Sequence, residues 1–368
     1  MKWMIGLFLV LITSSFLPDA NNLPHNLPRH LDLPLNWKEI TKSDFAFIFD
    51  NPDTLLKHEM FLLKNEQASP LLYYSEIQTP VCIDGVCKPV YIEMYWDLVG
   101  KYVGYGIFPA HLLTKFDHEA FTSTDYLKLH NLLLDPHSIL DRRSLSDLYE
   151  PQKKREKTIT FNGEEIDGIS GATKKEIKNS IVAGALYSCY TLWQLAQTKA
   201  TQKINVHLSH IYNDTLENHF LQSNRVAYQM YALKQLSSTD YSKKKAMILA
   251  VLKKGNPLTR AYILKKTPKS LFRHPLFIQQ IFGNFSDLDL NTKTLLVRNL
   301  TFSSPEAARQ ISSQINQLST NQLKQFLEIL ENHPLFNTKS VKENLKKYAV
   351  DKQSAYFYLI NTFLNAER

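Results

Sequence analysis

The strand-forming and helix-forming parts of this sequence lie in different regions of the chain. Runs rich in β-branched and aromatic residues, such as 90–96, occur between residues 71 and 166 and are separated by turn residues. From about residue 203 these runs fade, and segments of helix length follow one another, several with proline in the first turn. We predict an α+β fold: a small antiparallel sheet with packed helices, followed by an all-α domain that is either a HEAT-like helical repeat or a bundle.

The length of 368 residues exceeds what one ordinary hydrophobic core accommodates, so more than one domain is expected. We assign residues 1–20 to a signal peptide and 21–70 to an extended or helical leader. Residues 71–200 form the predicted α+β domain, and residues 201–368 form the predicted helical domain.

The leader combines two different signals. Proline follows leucine at positions 24, 28 and 34, which opposes regular structure and predicts an extended segment lying on the surface. Residues 53–63 carry a weak helical pattern after Asn51-Pro52.

The first fifteen residues have the layout of a secretory signal. Lys2 precedes an apolar run over residues 4–11, and small residues follow at 13–15. The run is too short for a comfortable membrane span, and no cysteine follows it for a lipid anchor. We therefore expect an exported protein in the periplasm or another extracytoplasmic space. Retention as an uncleaved anchor is the alternative.

The formal net charge of +8 comes from short, scattered basic runs, which are typical of solvated helix faces. No nucleic-acid-binding motif accompanies them, so nucleic acid is not predicted as a partner. Association with an anionic membrane surface fits a basic exported protein and stays open.

Two of the three cysteines flank a turn signal. Cys82 and Cys87 enclose Asp84-Gly85, the favoured pair for a two-residue type I′ turn, which places the cysteines opposite each other. An exported protein would hold them as a structural disulfide. Reduced thiols and a catalytic redox pair remain as alternatives. Cys189 lies in a helical pattern and is expected to be a buried small apolar residue.

One heptapeptide carries a specific chemical signal. Residues 167–173 read DGISGAT; a predicted hairpin over 158–166 precedes them, and a helical pattern over 174–196 follows. Free backbone N–H groups and the helix dipole stabilise a phosphate at a helix N-terminus, and glycine and alanine leave room for it. A second interpretation is purely structural, because Thr173 and Glu176 also form a capping box.

The heptapeptide resembles the FMN-binding domain found in subunits of the sodium-translocating NADH:quinone reductase and of the Rnf complex, whose pattern is Asp-x-x-Ser/Thr-Gly-Ala-Thr. A looser likeness spans about residues 80–196. The resemblance implies that the Thr173 hydroxyl is esterified to the phosphate of FMN by a separate Mg-dependent flavin transferase. It also assigns recognition and packing roles to Asp167, Ser170, Gly171 and Ala172.

The resemblance implies an exported electron carrier rather than a substrate-converting enzyme, with a redox or envelope protein docking on the helical half. One departure supports a second hypothesis. The family often continues with an apolar residue and then Thr or Ser, whereas Lys174 and Lys175 occupy those places here. The alternative is a non-redox envelope interaction or scaffold protein with a degenerate FMN-binding-like domain and a helical array that binds a partner.

Four histidines lie close together in the sequence, but their spacing matches no ligand motif, so no metal site is predicted. They are His111, His118, His130 and His137, with Asp117 beside the second.

Three aromatic residues, Tyr187, Tyr190 and Trp193, lie along the helical pattern after the heptapeptide. Packing in the core is the ordinary interpretation of such a set, and stacking on a flavin ring is the alternative. In the second half, HPLF occurs at 274–277 and again at 333–336, which is the only direct sign of an internal repeat.

Overall fold

The computed structural model describes residues 23–51, 56–82, 87–115, 118–142, 144, 158–161, 164–167, 180–350 and 355–366. Two compact units divide the chain, Met1–Ile211 and Tyr212–Arg368. The first unit holds an antiparallel sheet with helices and the second unit is helical, so the predicted α+β fold with a following helical region is confirmed.

The main sheet of the first unit has six strands in the order β1-β6-β5-β4-β3-β2, and every neighbouring pair is antiparallel. Consecutive strands from β2 to β6 are therefore neighbours, and the short β1 pairs with the far edge at β6. The strands are β1 (His30–Leu31), β2 (Lys42–Asp50), β3 (Lys57–Lys64), β4 (Pro70–Thr79), β5 (Val90–Trp96) and β6 (Tyr102–Ile107).

The sheet begins earlier in the chain than the sequence pattern predicts. Residues 57–64 form β3, so the helical interpretation of 53–63 is wrong for this described part. The side chains of β3 are buried on both faces of the sheet, as at Met60, Leu62 and Leu63, because other elements cover each face. A short run that is apolar on both faces lacks the alternation that distinguishes a strand from a helix.

Residues 23–40, called here the N-terminal strap, are extended as predicted but pack on the sheet instead of lying free on its surface. The backbone of β1 bonds to β6 through Arg29 N–H to the Tyr105 carbonyl (2.9 Å) and Asp32 N–H to the Val103 carbonyl (2.7 Å). Apolar side chains of the strap contact one face of the sheet. They are Leu23, Leu31, Leu33, Leu35, Trp37 and Ile40, and they pack against Phe61, Leu63, Leu72, Tyr74, Tyr95 and Val103.

Within the described ranges of the first unit, three α-helices are present: α1 (Ser123–Leu134), α2 (Leu186–Gln197) and α3 (Lys199–Ile211). The Trp96 indole N–H on β5 donates to the Ala196 carbonyl at the end of α2 (2.8 Å). In α3, the Thr201 hydroxyl donates to the Gly100 carbonyl (2.8 Å). Helix α3 therefore packs with the sheet, although the sequence assigned residues after 200 to the helical domain.

The second unit arranges its helices in two rows. Helices α5, α8, α10, α12 and α14 form the first row, and α4, α7, α9, α11 and α13 form the second. Neighbours in each row contact each other, and at α9 the contacts with α7 and α11 are made by the π-helical turn over Ile278–Phe282. A short π-helical turn continues α9, and α6 connects α5 to α7. The bounds are α4 (Asp214–Gln222), α5 (Val226–Gln235), α6 (Ser238–Lys243), α7 (Lys245–Lys254), α8 (Pro257–Lys266), α9 (Pro275–Phe277), α10 (Leu290–Asn299), α11 (Pro305–Ser312), α12 (Thr320–Asn332), α13 (Lys339–Tyr348) and α14 (Ala355–Ala366). Among the described residues, no helix combines the length and apolar character needed to cross a bilayer.

The first row repeats with a period of about 31 residues. Four of its five helices, α5, α8, α10 and α12, start after the cap residues Arg225, Asn256, Asp289 and Ser319. In each of these helices, the residues three, seven and eight positions after the cap residue are buried. Equivalent side chains of successive helices therefore build one continuous core. The seventh positions are Ala232, Ile263, Leu296 and Phe326.

The repeated HPLF does not mark this period. The first copy provides His274 as the cap of α9, whereas Pro334–Phe336 of the second copy forms a 3-10 turn before α13. The two copies lie 59 residues apart and occupy different places in the repeat. The true repeat is carried by buried positions and caps, which sequence identity alone does not reveal.

Candidate functional site

The heptapeptide DGISGAT begins at the end of a two-stranded hairpin. Strands β7 (Thr158–Phe161) and β8 (Glu164–Asp167) pair antiparallel, and Asp167 is the last residue of β8, opposite Thr158. The predicted hairpin is thus present. Ser170, Gly171, Ala172 and Thr173 lie outside the described residues, as does the capping-box partner Glu176.

The chain that leads away from the heptapeptide is described again from Ser180. Here the helix is not continuous to residue 196, as the sequence pattern predicts. A turn intervenes, in which the Ala185 N–H bonds to the Val182 carbonyl (3.0 Å) and Gly184 adopts a φ of 75°. Glycine takes this left-handed conformation without a steric cost, so the chain changes direction before α2 begins.

An open cleft lies where this segment meets α1. Its volume is about 300 Å³, which is at the small end for ligand sites. The lining is mostly polar and includes Lys128, Asn131, Asp135, Ser138 and Ser180. Ser180 follows Thr173 by only seven residues, so the cleft is the described cavity nearest to the heptapeptide in sequence.

Two of the three aromatic residues of α2 belong to the hydrophobic core, and the third, Tyr187, is half-buried. Tyr190 and Trp193 are buried, and the Trp193 indole N–H donates to the Asp135 carbonyl (2.8 Å). Cys189 is also buried, as predicted, and burial raises the pKa of its thiol to about 12. Tyr190, Trp193 and Cys189 therefore pack α2 against the sheet, in agreement with the core-packing interpretation of the aromatic residues.

Cys82 and Cys87 lie at disulfide distance, with Cα atoms 5.6 Å apart. The ladder between β4 and β5 ends with Thr79 opposite Val90. Beyond that last ladder pair the two cysteines lie opposite each other, as predicted, whereas the predicted turn at Asp84-Gly85 falls outside the described residues.

The four clustered histidines do not converge. His111 stacks on Tyr91 with ring centroids 4.3 Å apart, whereas His130 in α1 packs against His30 of the strap. Among the described residues, no group of histidine, cysteine or carboxylate side chains has an arrangement that could hold a metal ion.

A buried carboxylate joins the strap to the sheet. Glu93 in β5 is fully buried, and its Oε1 accepts the His25 N–H (2.7 Å) and the Tyr74 hydroxyl (3.3 Å). Its Oε2 accepts the Tyr95 hydroxyl (3.1 Å). Burial raises the pKa of Glu93, although these hydrogen bonds oppose the shift. The contacts connect β4, β5 and the strap, so we assign Glu93 a positioning role.

A second polar cluster lies where β1 meets α1. The His30 and His130 rings stack with centroids 4.9 Å apart, and His130 Nδ1 lies 3.2 Å from the Tyr102 hydroxyl. Asp32 Oδ1 lies 3.4 Å from His130 Nε2. Burial lowers the pKa of His30, the neighbouring His130 and Arg29 lower it further, and Asp32 opposes the change. Protonating His30 would place a positive charge on a ring that is stacked against His130.

We expect the free energy of unfolding to decrease as the pH falls below 6.5, the ordinary histidine value. A histidine whose pKa is lowered by folding contributes stability that is present above 6.5 and is lost as the pH falls through its folded pKa. Burial also lowers the pKa of His58 and His207. His30→Phe keeps a ring that can stack but removes one of these three titrating groups. The free energy of unfolding should therefore fall less steeply with decreasing pH, but it should still fall.

Urea unfolding of both proteins between about pH 8 and pH 5 measures this difference. Identical pH dependence for the wild type and His30→Phe would show that His30 does not contribute. Glu93 acts in the opposite direction, because its raised pKa adds stability that is lost as the pH rises through the folded value.

Sequence patterns alone do not identify these two clusters. Residues 90–96 predict a strand, and the only signal for Glu93 is a charged residue in the middle of an apolar and aromatic run. His30 and Asp32 belong to a segment that the pattern describes only as extended. Their partners lie far away in sequence and are brought near by the sheet order.

The features that distinguish this chain are the heptapeptide after β8, the sheet with its strap, and the two-row helical unit. A scan against protein-family models found no match to the chain, and searches of curated proteins and of solved structures also returned none.

Proposed function

We propose that this protein is an exported flavoprotein electron carrier with FMN esterified to Thr173. The observation that carries the proposal is the order Asp167, Ser170, Gly171, Ala172 and Thr173 in a heptapeptide that directly follows a strand. A threonine preceded by small residues offers both a hydroxyl for the ester and space for a modifying enzyme.

The bound flavin would supply acceptance and release of one or two electrons. The chain itself would hold the phosphate at Thr173 and keep the cofactor from diffusing away outside the cytoplasm. Ser180, the first described residue after the heptapeptide, lines a polar cleft together with Lys128, whose positive charge suits a phosphate-bearing ligand.

Export is part of the same proposal. A secretory layout at the N-terminus and a cysteine pair at disulfide distance are both compatible with an oxidising compartment. The partners would be a flavin transferase, which attaches the cofactor, and a redox or envelope protein that docks on the helical unit.

Coexpression with a flavin transferase in an exporting host tests the proposal. The intact mass of the purified protein should increase by FMN minus water, and Thr173→Ala should abolish the increase because it removes the only esterified hydroxyl. Thr320→Ala is the control, since this exposed threonine at the start of α12 should leave the added mass unchanged. An unmodified wild-type chain in the presence of an active transferase would contradict covalent flavin attachment.

The unmodified outcome would favour the second function, a non-redox interaction protein. Two observations support that alternative: Lys174 and Lys175 depart from the family pattern, and the helical unit presents an extended repeat surface. Arrays of this kind bind partners along a continuous face. Retention of a specific envelope protein by both the wild type and Thr173→Ala would support binding that does not depend on flavin.

A further inference from the structure

The positive charge of this protein is concentrated in its second unit. Residues 212–368 contain 22 Lys and Arg against 11 Asp and Glu, whereas the first 211 residues contain 21 and 24. The helical unit is therefore strongly basic, while the sheet-containing unit is slightly acidic. Unequal charge of this kind directs association with anionic partners.

The imbalance is greatest in the middle of the helical unit. Residues 241–286 include ten Lys and Arg and no Asp or Glu. Two of the ten have acidic partners elsewhere: Lys244 pairs with Glu217, and Arg260 lies 3.3 Å from Asp289. The other eight make no ion pair within the described part of the chain.

The hairpin of α7 and α8 brings most of these cations to one end. Only residues 255–256 separate the two helices, which pack against each other and so run antiparallel. The start of α7 and the end of α8 therefore lie at the same end of the hairpin. The cations that adjoin this end are called here the basic edge. Lys243, Lys245, Lys265 and Lys266 lie at the helix ends, and Lys269 and Arg273 lie in the 3-10 helix that follows α8.

Neighbouring elements hold the last two members in place. The Arg273 Nε donates to the Phe302 carbonyl (3.2 Å), and the Lys269 ammonium lies 4.2 Å from the centre of the Phe302 ring. Both side chains stay exposed. Lysines at the end of α8 also complement the helix dipole, but Lys245 is the first residue of α7, where the dipole disfavours a cation. Helix stabilisation alone thus does not account for the cluster.

We propose that the basic edge binds the anionic headgroups of a lipid membrane surface. Five of its six members are lysines, which act as point charges toward phosphate groups without the bidentate geometry of arginine. Leu276 follows Arg273 closely and is 43% exposed, so an apolar side chain accompanies the charge at this end. Basic residues beside exposed leucine are typical of interfacial binding.

Nucleic acid fits this edge less well. Single strands bind through aromatic rings that stack on bases, and the rings near the basic edge are not free for stacking. Phe272 and Phe277 are buried, and Phe302 is covered by Lys269. Membrane binding by this edge does not depend on a flavin at Thr173, so the two proposals can fail separately.

Co-sedimentation of the full chain with lipid vesicles tests the proposal. The probes are vesicles of phosphatidylcholine alone and vesicles with about one third phosphatidylglycerol, at low and high salt. The chain should sediment with the anionic vesicles only, and high salt should release it. Charge reversal by Lys265→Glu and Lys266→Glu should raise the lipid concentration for half-binding by roughly tenfold or more.

A matched control uses Lys253→Glu and Lys254→Glu. These lysines end α7 at the opposite end of the hairpin, so residue type, helix position and change in net charge are the same. Helix α7 has ten residues. A helix of that length spans about 15 Å, longer than the Debye length of roughly 8 Å at physiological salt. The control should therefore bind within about twofold of the wild type.

Three outcomes would overturn the assignment: equal binding to neutral vesicles, equal loss in both reversed pairs, or tighter retention of a duplex oligonucleotide than of vesicles at the same salt. Thermal melts followed by circular dichroism verify folding, and Lys265→Gln with Lys266→Gln serves as a milder pair if the reversed pair unfolds.

Discussion

Leu296→Ala is expected to lower the free energy of unfolding by about 2–5 kcal/mol. Leu296 is fully buried in α10, seven residues after the cap of that helix. Ile263 and Phe326 occupy the equivalent positions of the two neighbouring helices and are also buried. Truncation removes apolar contacts and leaves a cavity that the two packed rows cannot readily close. Urea unfolding followed by far-ultraviolet circular dichroism measures the change.

Leu290→Ala in the same helix is the control. Leu290 is 61% exposed at the first turn of α10, so the same chemical change should alter the free energy of unfolding by less than about 0.5 kcal/mol. Equal losses for the two substitutions would contradict the repeat, because the period predicts that one side chain faces the core and the other faces solvent.

Gly104→Ala is expected to detach the N-terminal strap and to cost about 3 kcal/mol or more. A Cβ at this position would lie 2.2 Å from the His30 carbonyl oxygen and 2.9 Å from the Leu31 Cα. Both atoms are backbone, so no side-chain rotation relieves the overlap, and β1 must leave β6. Urea unfolding reports the loss, and trypsin cleavage after Arg29 and Lys38 reports the release of the strap.

Gly106→Ala provides the comparison on the same strand. Its Cβ would lie 2.6 Å from the Glu93 Oε2, a side-chain atom. Movement of the carboxylate can relieve the overlap at the expense of its hydrogen bond from Tyr95, while the backbone pairing of β1 with β6 stays. We expect a smaller loss of stability and little change in trypsin cleavage at Arg29. If Gly104→Ala keeps wild-type stability and trypsin resistance, the close approach of β1 to β6 is wrong.

Local sequence signals predicted the elements that depend on neighbouring residues. The box formed by Thr122 and Asp125 starts α1, with the Thr122 N–H donating to Asp125 Oδ2 (2.8 Å), and both residues are visible as a capping pattern. The turn signal Asp84-Gly85 placed Cys82 and Cys87 opposite each other, and the two cysteines lie at disulfide distance, although the turn residues themselves are outside the described part of the chain. Caps and turns act over three to five residues, so the sequence contains the whole interaction.

Local signals failed where burial on both faces or a distant partner decides the outcome. Strand β3 has no alternation because helices cover one face of the sheet and the strap covers the other. The helical repeat is likewise hidden, since Ala232, Ile263, Leu296 and Phe326 share burial but not identity. Cores accept different apolar residues of suitable volume at equivalent places.

The sequence by itself determined the order of strand-forming and helix-forming segments, the caps of α1, the hairpin before Asp167 and the heptapeptide that suggests flavin attachment. Only the tertiary structure decided that Glu93 becomes a buried anchor and that the cations of α7 and α8 share one edge. The His25–Glu93 hydrogen bond joins residues 68 positions apart. Such a contact exists only after the strands have paired, so the physical cause is chain topology and no short pattern encodes it.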